Sequence, residues 1–384
     1  MKILHTSDWH LGKTLCGRLL IEDQEYFIEN VFFKAIDNEK PDLIIIAGDI
    51  FDRAIAPNEA IAMFNKVILR IGKEYSIPLV IISGNHDSRE RMAIGTDLLR
   101  DSGIYIINSI EDFNKPISFE KDNQRVNIYA IPYFDYNECF SLFKNEKISS
   151  LKDSFKLMTD EIKKTIHKDA FNILVSHCYI NGCLSCESES SLYIAQSQEV
   201  SASLFDMFDH VALGHLHTAQ KAGPNGRYCG APLSYSFSEK NFQKSMDIIN
   251  INDNKKTITP IKIEPLRKVR VIKGKFDEIV EIGKNFPSSD YICAELEDTS
   301  PIYMPIDQLR VYFPNIINIS ADWMKASLDE SNKEKGDNHF IGRKLNEEDI
   351  FCRFIKDICQ KEVESQDIST FYEILENVKK EEDK

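Results

Sequence analysis

Residues 42–53 read DLIIIAGDIFDR, from Asp42 to Arg53. Leu43 to Ala47 form an unbroken apolar run, the pattern of a strand buried on both faces of an α/β sheet. Gly48 lets the backbone turn sharply past the strand end. Asp49 and Asp52 follow. Asp49 is therefore expected at the carboxyl end of a central strand, where open α/β sheets place their ligands. A single acid after a single strand is a weak signal, so its meaning depends on the other strand ends.

Four further apolar runs end in the same way. Lys2–Thr6 leads into Ser7-Asp8-Trp9-His10, and Leu79–Ile82 into Ser83-Gly84-Asn85-His86-Asp87. Phe171–Val175 leads into Ser176-His177, and His210–Leu213 into Gly214-His215-Leu216-His217. Between these runs, apolar residues recur at three- and four-residue intervals. That spacing predicts helices over 22–38, 58–71, 91–101 and 151–167. Short strands are expected near 104–107 and 126–131, then a run of strands and turns to about Ile263.

The character changes near Pro265. A basic strand over 267–275 opens a small α/β unit that extends to about residue 325. Residues 326–345 are polar and read as a linker. Residues 346–384 read as two amphipathic helices, with stripes Phe351, Phe354, Ile355, Ile358 and Phe371, Ile374, Leu375, Val378. Helices this short are marginal alone in water, so the stripes pack either on this chain or on a partner, and their place beyond a linker favours a partner.

With 384 residues the chain has room for two to three domains, and 42% hydrophobic with 28% charged residues is an ordinary globular composition. The net charge of −14 excludes a surface that binds nucleic acid by bulk charge, and residues 329–384 carry 16 acidic against 10 basic groups. No apolar run reaches the ~20 residues of a membrane span. The start MKILHTSDWH has no secretory pattern, and nine scattered cysteines fit a reducing, cytoplasmic setting. Cys183 and Cys186 form a CxxC that Cys178 and Cys229 could complete as a zinc site; ordinary thiols are the simpler reading.

The five strand ends offer oxygen and imidazole ligands without thiolates, which suits borderline-hard divalent ions such as Mn²⁺, Fe²⁺ or Zn²⁺. Seven such residues exceed the needs of one ion that must also bind water. A two-ion site fits better, with Asp49 as the natural bridge between ions ~3.5–4 Å apart.

Asp-x-His, Gly-Asp-x-x-Asp, Gly-Asn-His-Asp, a lone His and Gly-His-x-His, in this order, resemble the calcineurin-like metallophosphoesterases. ILHTSDWHLGK, AGDIFDR, SGNHDS, ALGHLH and RYCGAPLSYSF are similar, more closely, to the nuclease subunits of SbcCD-type complexes. The resemblance is strong over residues 1 to about 262 and weaker beyond. It implies a layered α/β/β/α sandwich over 1–264, a small α/β capping domain over 265–325, and a C-terminal helix pair over 346–384 that docks on a partner. It implies one metal ion on Asp8, His10, Asp49 and His217, and a second on Asp49, Asn85, His177 and His215. The expected ion is Mn²⁺, with Mg²⁺, Fe²⁺ or Zn²⁺ as alternatives. His86 would face the scissile phosphate as a charge stabiliser or proton donor. Asp52 would fix the His86 tautomer; the competing reading is a helix N-cap.

The implied activity is hydrolysis of DNA: 3′→5′ exonuclease action on duplex ends and endonuclease action on single strands and hairpins, in repair and recombination. The implied assembly is a dimer of this chain with two copies of an SbcC-type coiled-coil ATPase. Lys13, Arg53, Arg89 and Arg91 could hold DNA phosphates or be solvated charges. Ile61, Phe64, Ile68, Ile94, Leu98 and Leu99 could pack on the sheet or form a helical dimer interface. The alternative activity is that of a phosphodiesterase or phosphatase for a non-DNA substrate. Against a protein phosphatase, Asp87 stands where those enzymes carry Glu.

Overall fold

In the computed structural model, residues 1–144, 148–189 and 199–321 are described, with 351, 367–368 and 370–371 beyond them. All four side chains of strand Leu43–Ile46 are buried. The strand lies inside a six-stranded sheet ordered Lys255–Lys262, Ser245–Asn252, Lys2–Thr6, Leu43–Ile46, Leu79–Ile82, Ile104–Ile107. The last four of these strands are mutually parallel. A second six-stranded sheet is ordered Gln220–Ala222, Gly226–Tyr228, His210–Gly214, Phe171–His177, Gln124–Ile131, Ile117–Lys121. Its four inner strands are also parallel.

The alternation of side chains along each strand builds the layers. Ile3, Leu43, Ile45, Val80 and Ile82 meet Ile128, Ile173, Val175 and Ala212 between the two sheets. Leu4, Ile44, Ile46, Leu79 and Ile81 face outward onto Phe27, Phe32, Phe64 and Val67 of the first helical layer. Tyr129, Ile131, Leu174 and Val211 face Phe155 and Met158 on the other side. The result is an α/β/β/α sandwich, and strands covered on both faces explain why the runs are continuous rather than alternating in sequence.

The first predicted helix forms as Ile21–Phe27 and Phe33–Glu39, joined by a π-helical turn at Ile28–Phe32. The stretch expected as one helix over 91–101 is two short pieces, Arg89–Met92 and Thr96–Arg100. Between them Gly95 adopts φ +73°, a left-handed break directly before the second piece. A helix at Tyr136–Phe143, with a capping box from Asp135 and Glu138, has no counterpart in the sequence reading.

The six candidate dimer residues divide. Phe64, Ile68 and Leu99 pack against the core, whereas Ile61 is 39%, Ile94 77% and Leu98 78% exposed.

Residues Val269–Gly274, Tyr291–Leu296 and Ile316–Ala321 form a three-stranded parallel sheet. Helices Phe276–Asn285 and Pro305–Leu309 accompany it. One buried carboxylate helps tie this small unit to the sandwich. Asp23 accepts from Arg267 Nη1 at 2.8 Å and from the Tyr291 hydroxyl at 2.6 Å.

The chain divides into Met1–Ala321 and Asp322–Lys384. The expected linker and most of the helix pair lie outside the described residues. Phe351 and Phe371, one from each expected stripe, stack with ring centroids 4.5 Å apart. Among the described residues no helix is long and apolar enough to cross a membrane.

Gly214 marks a close approach of the two sheets. A Cβ there would lie 1.9 Å from the Ala47 carbonyl oxygen, which is main chain and cannot swing away. Gly214→Ala is expected to cost about 1–3 kcal/mol in urea unfolding, the usual penalty of overpacking. An unchanged unfolding midpoint would contradict this crossing of the sheets.

Candidate metal centre

Beyond their strand ends, the first two loops continue side by side. Asp8 N donates to Gly48 O, His10 N to Asp49 O and Leu11 N to Ile50 O, at 3.0, 3.0 and 2.8 Å. Parallel pairing thus carries Asp8, His10 and Asp49 out of the sheet in register. Asp8, His10 and Asp49 all adopt left-handed backbone, at φ +55°, +44° and +51°, and His215 lies at +106°. Such conformations cost about 1–3 kcal/mol each and persist where the surroundings over-determine them. Here they aim short side chains into one space. Gly48 itself has φ +92°, and a Cβ on it would lie 2.4 Å from His177 Nδ1. A Cβ on Gly84 would lie 2.1 Å from Asp49 Oδ1.

The seven predicted ligands converge, and all but Asn85 are buried. Asp49 is the hub. Its Oδ1 accepts from His86 N at 2.9 Å. Its Oδ2 lies 3.6 Å from His10 Nε2 and 3.4 Å from His177 Nε2. On one side, His10 Nε2 faces His217 Nε2 at 3.1 Å. On the other, Asn85 Oδ1 lies 3.0 Å from His177 Nε2 and 3.1 Å from His215 Nδ1. Asp8 accepts from His215 N at 2.9 Å and from Ser7 Oγ at 2.5 Å. Three groupings have ligand atoms mutually within 4.8 Å: Asp8, His10, His217; Asp8, Asp49, His177; and His10, Asp49, His86.

The electrostatics fit cations. Burial pushes the Asp8 carboxyl up and holds His10 and His215 far toward neutrality, His215 down to about 3. His177 goes the other way: burial opposes its charge, but Asp49 and Asp8 outweigh it and hold the proton up to about 9. The same negative charge that raises His177 would favour a cation beside Asp49, whose Oδ2 lies 3.4 Å from His177 Nε2. His10 supplies a second test. Its Nδ1 is buried without a hydrogen-bond partner, 3.8 Å from Asp52 Oδ1. A cation on Nε2 would move the ring proton to Nδ1, facing that carboxylate. The residues therefore fit divalent ions, and atoms about 3 Å apart are spaced as ligands of a shared ion with ~2.1 Å bonds.

Asp52 meets His86 through its main chain and not through its carboxylate. His86 Nδ1 donates to the main-chain carbonyl of Asp52 at 2.8 Å. The Asp52 carboxylate instead accepts from Lys13 Nζ at 2.7 Å. It is no N-cap either, because the next helix starts at Asn58 with Pro57 before it. The His86 ring is thus fixed by backbone, leaving Nε2 available.

The basic residues also separate. Lys13 is spent on Asp52, and its ammonium lies 5.5 Å from the Tyr235 ring centroid. Arg89 is held by Glu138 and the Tyr133 carbonyl. Arg53 and Arg91 are exposed, Arg91 donating to Ala54 O at 3.1 Å. No grouping among the described residues that could hold a metal includes a cysteine. Burial pushes the Cys178 thiol up to about 12.

Sequence reasoning missed the supports. Asp87 accepts from the amides of Ile50, Phe51 and Gly84 at 3.2, 2.9 and 2.9 Å, joining two of the ligand loops. The Tyr235 hydroxyl donates to Trp9 O at 2.6 Å, and Gln24 Nε2 to His10 O at 2.7 Å. Neither has a local signal, since each partner is distant in sequence.

Residues 1–219 match the profile of the calcineurin-like phosphoesterases. The chain belongs to that family. Residues 265–358 match the C-terminal domain of SbcD, described as the type 5 capsule protein repressor C-terminal domain. Among solved structures, a dimetal phosphatase from Danio rerio is similar at 11% identity and TM-score 0.39, over 69% of this chain and 98% of that one. As a calcineurin-like phosphoesterase the chain has the fold of a phosphoester hydrolase, and its His/Asp clusters fit a dinuclear metal site.

Asp87→Ala leaves three amides without their acceptor. It is expected to cost about 3 kcal/mol or more in urea unfolding of chelated protein. A loss below about 1 kcal/mol would contradict the tie between the loops.

Proposed function

We propose that this calcineurin-like phosphoesterase is a metal-dependent DNA nuclease of the SbcD type. The observation that carries the chemistry is Asp49 Oδ2, placed between His10 Nε2 at 3.6 Å and His177 Nε2 at 3.4 Å. In this reading Asp8, His10, Asp49 and His217 hold one ion, and Asp49, Asn85, His177 and His215 the other. Mn²⁺ is the favoured ion for this mixed set. When bound there, two such cations would supply charge neutralisation for phosphodiester oxygens and an activated water. The protein's own part is to hold that geometry. His86, anchored at Nδ1 by Asp52 O, presents Nε2 to stabilise the phosphoryl charge or protonate the leaving sugar oxygen. Arg53 and Arg91 are the basic residues best exposed to meet the DNA backbone.

The match of residues 265–358 supports the choice of DNA over a small substrate. In this reading 265–325 is the capping domain, 326–345 a linker and 346–384 the element that docks on an SbcC-type coiled-coil ATPase. Exposed Ile61 and Leu98, on helices, and Ile94, in the turn before the second of these, support a homodimer through this face. Exonuclease action on duplex ends and endonuclease action on hairpins and single strands follow as the expected activities.

Purified protein with Mn²⁺ should cleave linear duplex, hairpin or single-stranded DNA. His86→Ala should keep two bound ions and lose about 10²–10⁴-fold in cleavage rate. Absence of DNA cleavage alongside turnover of a cyclic nucleotide or phosphoprotein would overturn the nuclease reading.

A further inference from the structure

His217 is held at every polar atom except one. Its amide donates to Glu189 Oε1 at 2.6 Å, and its carbonyl accepts from Lys244 Nζ at 3.1 Å. Its Nδ1 lies 2.7 Å from Ser188 Oγ. Only Nε2 is left, and it faces His10 Nε2. Ser188 Oγ lies in turn 2.6 Å from Glu239 Oε1, and Glu239 Oε2 is paired with Lys244 Nζ. Glu239 is fully buried and Lys244 is 5% exposed.

The direction of the protons follows from counting them. A serine hydroxyl has one proton to give, and an ionised carboxylate can only accept. Were Ser188 to donate to His217 Nδ1, its lone pairs would face the Glu239 carboxylate at 2.6 Å. The proton of Ser188 therefore goes to Glu239, and Ser188 accepts from His217 Nδ1–H. A neutral imidazole protonated at Nδ1 carries its lone pair on Nε2, the atom aimed into the metal centre.

We infer that Ser188, Glu239 and Lys244 are positioning residues that lock His217 in its ligand tautomer. The inference rests on the two-ion reading of the site. The buried ammonium of Lys244 keeps Glu239 an acceptor, Glu239 claims the serine proton, and Ser188 thereby becomes an acceptor for His217. Such partners of metal-bound histidines are worth about 10–100-fold in metal affinity. The three are scattered in sequence and lie outside the five strand-end motifs. The CxxC segment runs into this network, since Cys186 N donates to Glu189 Oε2 at 2.7 Å.

The test uses the full chain with Ser188→Ala, Ser188→Thr and Glu239→Gln, in two measurements. The first is Mn²⁺ binding at equilibrium. The second is the ¹⁵N spectrum of histidine-labelled, chelated protein, with His217 assigned by its loss in His217→Gln. Wild type should show His217 protonated at Nδ1. In Glu239→Gln the new amide can donate to Ser188, whose proton is freed toward His217, so the Nε2–H form should appear. Ser188→Ala and Glu239→Gln should weaken one of the two ions by about 10–100-fold, while Ser188→Thr, which keeps the hydroxyl, should restore it. Unchanged affinity for both ions with His217 still protonated at Nδ1 in Ser188→Ala would overturn the inference. Should Glu239→Gln not fold, Ser188→Ala decides alone, because its side chain is small and half-buried. Should wild type bind no ion pair, the functional reading falls, and the metal-free spectrum still decides the tautomer.

Discussion

One carboxylate, Asp49, has to be reached from both sheets at once. It follows a strand of the first sheet, and its Oδ2 lies 3.4 Å from His177, at the end of a strand of the second. Bringing two sheets that close leaves no room for side chains on the intervening backbone. This is why Gly48, Gly84 and Gly214 stand where a Cβ would strike His177, Asp49 or the Ala47 carbonyl. It is also why Asp8, His10 and Asp49 accept a left-handed backbone. The apolar mass between the sheets is the counterweight: Ile45, Val80, Ile82, Ile173 and Val175 are all fully buried there. Each contributes about 1.5–3 kcal/mol of burial, which can sustain several strained residues of about 1–3 kcal/mol. A charged, crowded site is tolerable because it sits at the rim of a large dry core.

The strands and the convergent ligands were legible because both depend on short-range pattern. A doubly covered strand needs a continuous apolar run, and a ligand at its end needs a turn and a polar residue at fixed offsets. Five such ends in one chain carry their own message. What lay beyond short range was not legible. Asp52 reads as a carboxylate waiting for a histidine, yet His86 takes its carbonyl and Lys13 takes its side chain. Nothing in a sequence tells backbone from side chain at such a contact. Lys13 and Arg89 read as free cations and are each spent on an internal partner. Glu239 and Lys244 lie outside every motif in the sequence and are buried together beside His217. The helix over 91–101 was misjudged for a local reason, the left-handed Gly95, which helical periodicity overlooks.

The charge balance of the chain acquires a local meaning. Were a protein of net charge −14 to act on a polyanion, as proposed, it would need compensation where the two meet. In the proposed reading, divalent cations held at the strand ends would supply it at the point of chemistry. The small α/β unit is joined beside the site through Asp23, Arg267 and Tyr291, with Arg267 also paired to Glu22. That joint is polar and partly buried, so the unit is fixed by charged hydrogen bonds as well as by Val269 and Tyr291 in the core. Loss of a partner at buried Asp23 is expected to cost far more than loss of the exposed Glu22 pair.

The shared role of Asp49 is the central claim, and the number of ions tests it most directly. Mn²⁺ should be titrated into the chelated full-length protein and followed by electron paramagnetic resonance. Wild type should bind two ions as a magnetically coupled pair, consistent with a separation of ~3.5–4 Å across one carboxylate. Asp49→Ala should lose both ions together. A variant that retains one tightly bound, uncoupled ion would show that the two half-sites are independent and that Asp49 does not join them.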